Sequence, residues 1–345
     1  MAYFCNDKLI RHIILKHNIL YWIRNGRAYA LPQSVLPAMV ALFAAGTMDN
    51  FSIGYGLLAI IGVIFAHLSM NLFDDYFDFQ TRGIEIRNEM EQNGQRARIA
   101  KSPYLVNGDA TPKELFIVAS LFSAFALTMG VIIVLKQGIV CLYLAFAAGF
   151  LGYFYSGKPL RLSYHGFGEL IIGIVFGPLL MCGVFYAACG QFTTNILWIS
   201  CALGLLVINI LFTHSILDKE ADLKNGKRTL AAVLQRPALN LAASALFNFT
   251  PYLLILLSVL LKITSPIFLI VLIILPLSAS LYYLIVQFVK NPSKEFKKRW
   301  WMEPIEHWKA IEQQGLGWFA IRWFMSRNIM QWFSFILIIC FLVSK

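Results

Sequence analysis

Charged side chains are scarce in this sequence. They make up 14% of its 345 residues, whereas a soluble domain carries about 25%, so an ordinary water-facing surface is excluded. Acidic residues are scarcer still, 18 against 29 lysines and arginines. The six cysteines (Cys5, Cys141, Cys182, Cys189, Cys201 and Cys340) show no metal-ligand spacing, and most fall inside apolar runs. That excludes a zinc module and a disulfide framework and leaves small core hydrophobes. The first 30 residues lack an unbroken apolar region and a small-residue cleavage site, being interrupted by Lys8, Arg11, Lys16, Arg24 and Arg27. No secretory signal is expected there. The stretch from Leu9 to Ile23 reads either as an amphipathic helix on a membrane surface or as a solvated tail.

What fills the chain is hydrocarbon. Apolar residues reach 59%, gathered into runs of roughly 17–25 residues, the length that crosses a core of about 30 Å. An all-α, polytopic membrane protein of about nine transmembrane helices is predicted. The spans run over residues 31–48, 53–73, 115–135, 138–156, 166–188, 195–214, 238–261, 266–289 and 328–343. With the N-terminus cytoplasmic, 26 of the basic residues fall on inner segments and only Lys136, Lys262 and Lys345 on outer ones. This asymmetry matches the positive-inside rule and accounts for the net charge of +11 by topology, with no nucleic-acid partner. The expected organisation is a cytoplasmic or interfacial segment (1–30), a core of eight spans (31–289), a basic, Trp-rich interfacial segment (290–327) and a last span (328–345). The C-terminus is placed outside an inner or plasma membrane.

Six of the few acidic residues occupy two five-residue windows: Asp74, Asp75 and Asp78, then Asp218, Glu220 and Asp222. Both abut the cytoplasmic ends of spans, where carboxylates are costly unless paired, hydrated or metal-bound. At helical pitch Asn71, Asp74, Asp75 and Asp78 share one face, as do Asp218 and Asp222. Two such walls of oxygens repel without cations. Mg²⁺ suits them, because it takes oxygen ligands and bridges one or two carboxylates to substrate phosphates. Asp74, Asp75, Asp78, Asp218 and Asp222 are the candidate metal ligands. Arg82, Lys101, Lys158, Arg161, Lys227 and Arg228 lie on the same face as candidates for closing on a diphosphate. Each acidic window is followed by a basic loop and a proline-led start of the next span (Thr111-Pro112, Arg236-Pro237), which reads as a parallel four-helix repeat.

Asn71-Leu-Phe-Asp-Asp-Tyr-Phe-Asp78 and Asp218-Lys-Glu-Ala-Asp-Leu-Lys-Asn-Gly-Lys-Arg-Thr-Leu-Ala231 resemble the two signatures of the UbiA-type intramembrane prenyltransferases. The resemblance covers about residues 30–290. It implies a nine-helix bundle, a Mg²⁺ cofactor and transfer of a polyprenyl group from its diphosphate to an acceptor, with Asp75, Asp78, Asp218 and Asp222 carrying catalysis. Tyr155-Ser-Gly-Lys-Pro159, Tyr164-His-Gly-Phe-Gly-Glu169, Phe176-Gly-Pro-Leu and Gly183 to Tyr186 are similar to the 1,4-dihydroxy-2-naphthoate branch of menaquinone synthesis. This chain departs from the family pattern at four places. Asp74 stands at an Asn position, and Arg82 stands where a last Asp is usual. Pro103 replaces an Arg for which Lys101 or Arg98 substitutes. His214 and Ser215 stand where the second motif begins with Asn.

In the implied reaction Asn71 lies on the substrate side, and Tyr153 and Tyr155 shield the allylic cation with their π faces. Glu169, near the start of span 5, either binds or deprotonates the acceptor or caps a helix. Two other readings stay open. One keeps the chemistry and changes the acceptor to 4-hydroxybenzoate, a haem or chlorophyll-type ring, or a glycerol phosphate. The other is an ion-coupled transporter, against which the acidic clusters sit at helix ends rather than at broken helices in mid-membrane.

Overall fold

A computed structural model describes residues 17–80, 102–224 and 226–344. Arg82 and Lys101 lie outside the described residues, as does the first half of the expected surface helix. Nine apolar helices organise what is described. They are α1 (Pro32–Ala45), α2 (Ile53–Gln80), α3 (Pro112–Gln137), α4 (Ile139–Ser156), α5 (Gly168–Cys189), α6 (Thr194–Leu217), α7 (Pro237–Leu260), α8 (Pro266–Lys290) and α9 (Gly317–Val343). Among the described residues there is no strand. The last eight helices are long and apolar enough to cross a membrane.

The helix starts follow from local chemistry. Proline leads α1, α3, α7 and α8, where its missing N–H costs nothing and its fixed φ suits the first turn. Thr111 and Glu114 form a capping box at α3: the Glu114 N–H donates to Thr111 Oγ1 at 3.2 Å, and the Thr111 N–H donates to Glu114 Oε2 at 2.7 Å. Gly138, at φ 92°, turns the chain from α3 into α4 within one residue.

α6 is the central helix. Its apolar window is 72% buried, against 11% for α4, which faces outward. α5 and α6 approach closely through glycines. A Cβ on Gly173 would fall 2.2 Å from Ile208 Cγ1, and one on Gly177 would fall 2.6 Å from the Gly204 Cα. Gly173 and Gly177, four residues apart, thus form a small-residue stripe that lets the two helices touch through their main chains.

Three spans differ from their expected limits. α2 runs on to Gln80, seven residues past residue 73, so Asp74, Asp75 and Asp78 lie within the helix. α1 has 14 residues, about 21 Å of helix, and is too short to cross alone. It is instead wedged into the core, with Ala38, Val40, Ala41 and Ala45 fully buried. The last helix begins at Gly317 rather than near residue 328. Hydropathy breaks at Arg322 and Arg327, but both are buried in α9 (1% and 4% exposed). Arg322 Nε donates to the Leu284 carbonyl oxygen at 3.0 Å, and its guanidinium lies 5.0 Å from the Phe288 ring centre. The bundle thus offers carbonyl and ring partners to charges that the apolar pattern alone assigns to water. Trp318 and Trp323 belong to this helix. Trp301 and Trp308 pack on the main core, while Trp300 stands 86% exposed.

Candidate active site

The end of α2 carries Asn71, Asp74, Asp75 and Asp78 on one face, and each has protein partners. Asn71 Nδ2 donates to the Gly26 carbonyl oxygen at 2.8 Å. Arg27, just after the short helix Ile19–Asn25, inserts between Asp74 (3.2 Å) and Asp75. Tyr104 donates its hydroxyl to Asp75 Oδ2 at 3.0 Å, Ser156 to Asp74 Oδ1 at 2.6 Å and Tyr164 to Asp78 Oδ1 at 2.7 Å. Asp75 and Asp78 are buried, at 2% and 7% exposure, which is why such a ring of donors is needed. Burial alone would lower the Arg27 basicity, but Asp75 and Asp74 outweigh it and hold the guanidinium well above its ordinary range. The Tyr104 phenol is pushed up by burial and by the Asp75 carboxylate beside it, so it stays a proton donor.

The second acidic motif follows α6. Asp222 sits on the short helix Lys219–Lys224, 3% exposed. The Lys227 N–H donates to the Asp222 carbonyl oxygen at 2.8 Å. An isolated bridge between His165 and Arg228 ties the loop after α4 to the loop after α6. This pairing brings the Lys227 ammonium to 5.4 Å from the Tyr164 ring centre, with the Arg161 guanidinium 3.9 Å from the same ring. Burial would lower Lys227, but Asp78, Asp74, Tyr164 and Asp222 together raise it above its ordinary value. Both acidic motifs therefore act on one lysine. Glu169 Oε1 accepts from Ser215 Oγ at 2.5 Å, and its two oxygens accept the Leu230 N–H at 3.1 and 3.2 Å. It caps the start of the short helix Leu230–Val233 and braces α5 against α6 and this loop.

These groups open on one cavity of about 980 Å³. Of the expected site residues, Asn71, Asp74, Asp75, Asp78, Tyr153, Tyr155, Glu169, Asp222 and Lys227 line it. Asp218 does not. It is buried behind the wall, with Oδ2 3.7 Å from His214 Nε2, and it is His214 that reaches the cavity. Lys158 and Arg228 are exposed and off the cavity, and Arg161 is also off it, stacked on the Tyr164 ring. Sequence reasoning missed Arg27, Tyr104, Ser156 and Tyr164. Tyr164 lies inside a stretch that already carried the family resemblance, whereas Arg27 looked like one more charge of a basic tail.

Among the described residues, no three His, Cys, Asp or Glu side chains converge as one metal-binding group. The sequence leads to two separate walls bridged through Mg²⁺ and diphosphate, an arrangement that needs no such group. At its charged end, Asp74, Asp75, Asp78 and Asp222 line the cavity with hard carboxylate oxygens. That fits Mg²⁺ held by one or two carboxylates per ion and completed by substrate phosphate and water.

The UbiA prenyltransferase family matches residues 34–304. The 1,4-dihydroxy-2-naphthoate octaprenyltransferase of Bacillus subtilis (strain 168) is 25% identical over 207 residues, 59% of this chain and 63% of that protein. The 2-carboxy-1,4-naphthoquinone phytyltransferase of Synechocystis is 32% identical over 203 residues, 56% of this chain and 59% of that one. The chain thus spans about three fifths of the length of these curated relatives. Among solved structures, a UbiA homologue from Archaeoglobus fulgidus bound to GPP and Mg²⁺ has a TM-score of 0.57 at 16% identity, covering 92% of this chain and 99% of that one. A digeranylgeranylglyceryl phosphate synthase structure reaches 0.60 at 16% identity, covering 93% and 96%. These two likenesses show the fold. The match over most of the chain, on a bundle that turns both acidic motifs toward one lysine, shows that this protein belongs to the UbiA prenyltransferase family.

Proposed function

We propose that the protein transfers a polyprenyl group from polyprenyl diphosphate to an aromatic acceptor, 1,4-dihydroxy-2-naphthoate, in menaquinone biosynthesis, with Mg²⁺ as cofactor. One observation carries this reading. The cavity has a charged end, where Asp74, Asp75, Asp78 and Asp222 meet Arg27 and Lys227, and the rest of its wall is mostly apolar. An amphiphile with a diphosphate head and an isoprenoid tail has that profile. The naphthoate acceptor rests on the names of the two curated relatives.

In the reaction the allylic C1–O bond breaks and its electron pair leaves with the diphosphate; a ring carbon of the acceptor supplies the pair for the new C–C bond, and that carbon then loses its proton, or its carboxylate as CO₂, returning the bonding pair to the ring. Mg²⁺ bound at the aspartates would neutralise charge on the leaving diphosphate. Lys227 adds a fixed positive charge at that end, and the low-dielectric wall strengthens it. Tyr153 and Tyr155 line the cavity where an allylic cation needs shielding from water. By the distribution of basic residues, the charged end faces the cytoplasm. The test is transfer by the purified, reconstituted protein: Mg²⁺, a polyprenyl diphosphate and the naphthoate should yield a prenylated product by mass spectrometry. Asp75→Asn or Asp222→Asn should abolish it while membrane insertion persists. Undiminished turnover in both variants sinks the proposal.

A further inference from the structure

The cavity walls divide by chemistry. α2, α3 and α4 contribute small apolar residues, among them Gly62, Ala66, Gly130 and Gly149. A Cβ on Gly130 or Gly149 would meet nothing within 4 Å, so this side offers open, smooth space suited to an isoprenoid tail. Another part of the lining comes from the 24–33 segment, α6 and α9, and it carries rings and polar groups: Tyr29, Gln33, His214 and Trp323.

These rings are held in place. Tyr29 and Trp323 meet edge to face at 6.3 Å. Trp323 lies 6.0 Å from Phe319, and Phe319 lies 5.4 Å from His214, so an aromatic file runs from α9 to α6 along the cavity. Arg327 locks it. Its guanidinium lies 4.9 Å from the Trp323 ring centre, and its Nη2 donates to the Tyr29 carbonyl oxygen at 2.8 Å. A buried arginine on a membrane helix is costly. Here it fixes two cavity walls that are far apart in sequence. Tyr29, Trp323 and Arg327 all lie outside residues 34–304, the part that matches the family.

We propose that Tyr29, Gln33, His214 and Trp323 form the pocket for the aromatic acceptor, with the Trp323 indole as the surface on which a flat, bicyclic hydroxyaromatic ring stacks. The proposal rests on the prenyl-transfer reading and assigns the acceptor half of that site. Of the diphosphate end, Asp74, Asp75, Asp78, Asp222 and Lys227 lie within the part that matches the family, whereas Tyr29, Gln33 and Trp323 of the acceptor wall lie outside it. Offset or edge-to-face ring contacts are favoured over non-aromatic ones by about 0.5–1.5 kcal/mol beyond buried area, enough to select a ring over a chain at this wall.

The experiment uses the full chain in lipid nanodiscs and measures KM for both substrates in wild type, Trp323→Ala and Trp323→Phe. Trp323→Ala should raise the KM for the naphthoate roughly tenfold and leave the KM for polyprenyl diphosphate unchanged, and Trp323→Phe should recover most of the loss. An unchanged acceptor KM, or a rise confined to the diphosphate, overturns the assignment. Equilibrium binding of the naphthoate without donor or Mg²⁺ separates the two readings. A wild type that makes no prenylated product refutes transfer. Naphthoate binding that is equal in wild type and Trp323→Ala refutes the pocket, whatever the turnover.

Discussion

Replacing Arg27 by glutamine tests the electrostatic architecture of the site directly. The guanidinium sits between Asp74 and Asp75, and the Asp75 carboxyl is 2% exposed. Deleting one partner of a buried ion pair costs about 3–5 kcal/mol, because the remaining charge stays buried. The Arg27 side chain is 24% exposed, so water reaches one edge and the lower end of that range applies. About 3 kcal/mol corresponds to a fall in melting temperature of roughly 4 °C for a chain of this length. The assay is thermal unfolding in detergent with EDTA present, followed by tryptophan fluorescence. Two companion measurements sharpen it. Adding Asp75→Asn should restore much of the loss, since both halves of the pair are then neutral. Adding Mg²⁺ should raise the variant's melting temperature more than the wild type's, because uncompensated carboxylates bind a cation more tightly; a ligand at a hundred times its Kd adds about 2.7 kcal/mol. Melting of Arg27→Gln within about 1 °C of wild type, or a double variant no better than the single one, refutes the reasoning.

Lys227→Met should weaken binding of the polyprenyl diphosphate by tenfold or more, on the order of 1.4 kcal/mol, read as a rise in its KM. Asp78, Asp74 and Asp222 raise Lys227 above its ordinary value of 10.5, so its stabilising contribution is fully present below that pH. It is lost only as pH rises through the higher folded value, and the KM difference between variant and wild type should therefore stay constant across neutral and mildly alkaline pH. Gly177→Ala should destabilise the bundle by about 1–3 kcal/mol, seen as a lower melting temperature, because the new Cβ would lie 2.6 Å from the Gly204 backbone. Gly149→Leu fills open cavity space and should leave folding intact while shifting transfer toward shorter prenyl diphosphates in a competition between chain lengths.

The apolar runs, the two aspartate motifs and the prolines at helix starts were all legible because each is written in local spacing. Runs of apolar residues have no stable place in water, and Asn71, Asp74, Asp75 and Asp78 fall on one face at helical pitch whatever packs beside them. Arg322 and Arg327 were misplaced for the complementary reason. Hydropathy scores a guanidinium as a break, and only a carbonyl or ring contributed by a distant segment makes its burial tolerable. Asp218 matches Asp222 in the motif, but α6 ends at Leu217 and Asp218 is its cap; its carboxylate lies against His214, which lines the cavity in its place.

The linear chain by itself determined the all-helical membrane class and the two acidic motifs that end α2 and follow α6. These depend on length, hydropathy and near-neighbour geometry. The tertiary structure alone decided which charges meet: Arg27 with Asp74 and Asp75, Lys227 with both acidic motifs, and Trp323 with Tyr29 on a shared cavity. Interactions between side chains far apart in sequence depend on how the helices are rotated and stacked. That rotation is set by contacts such as Gly177 against Gly204; the four-residue spacing of Gly173 and Gly177 marks a packing face but does not name the helix it meets.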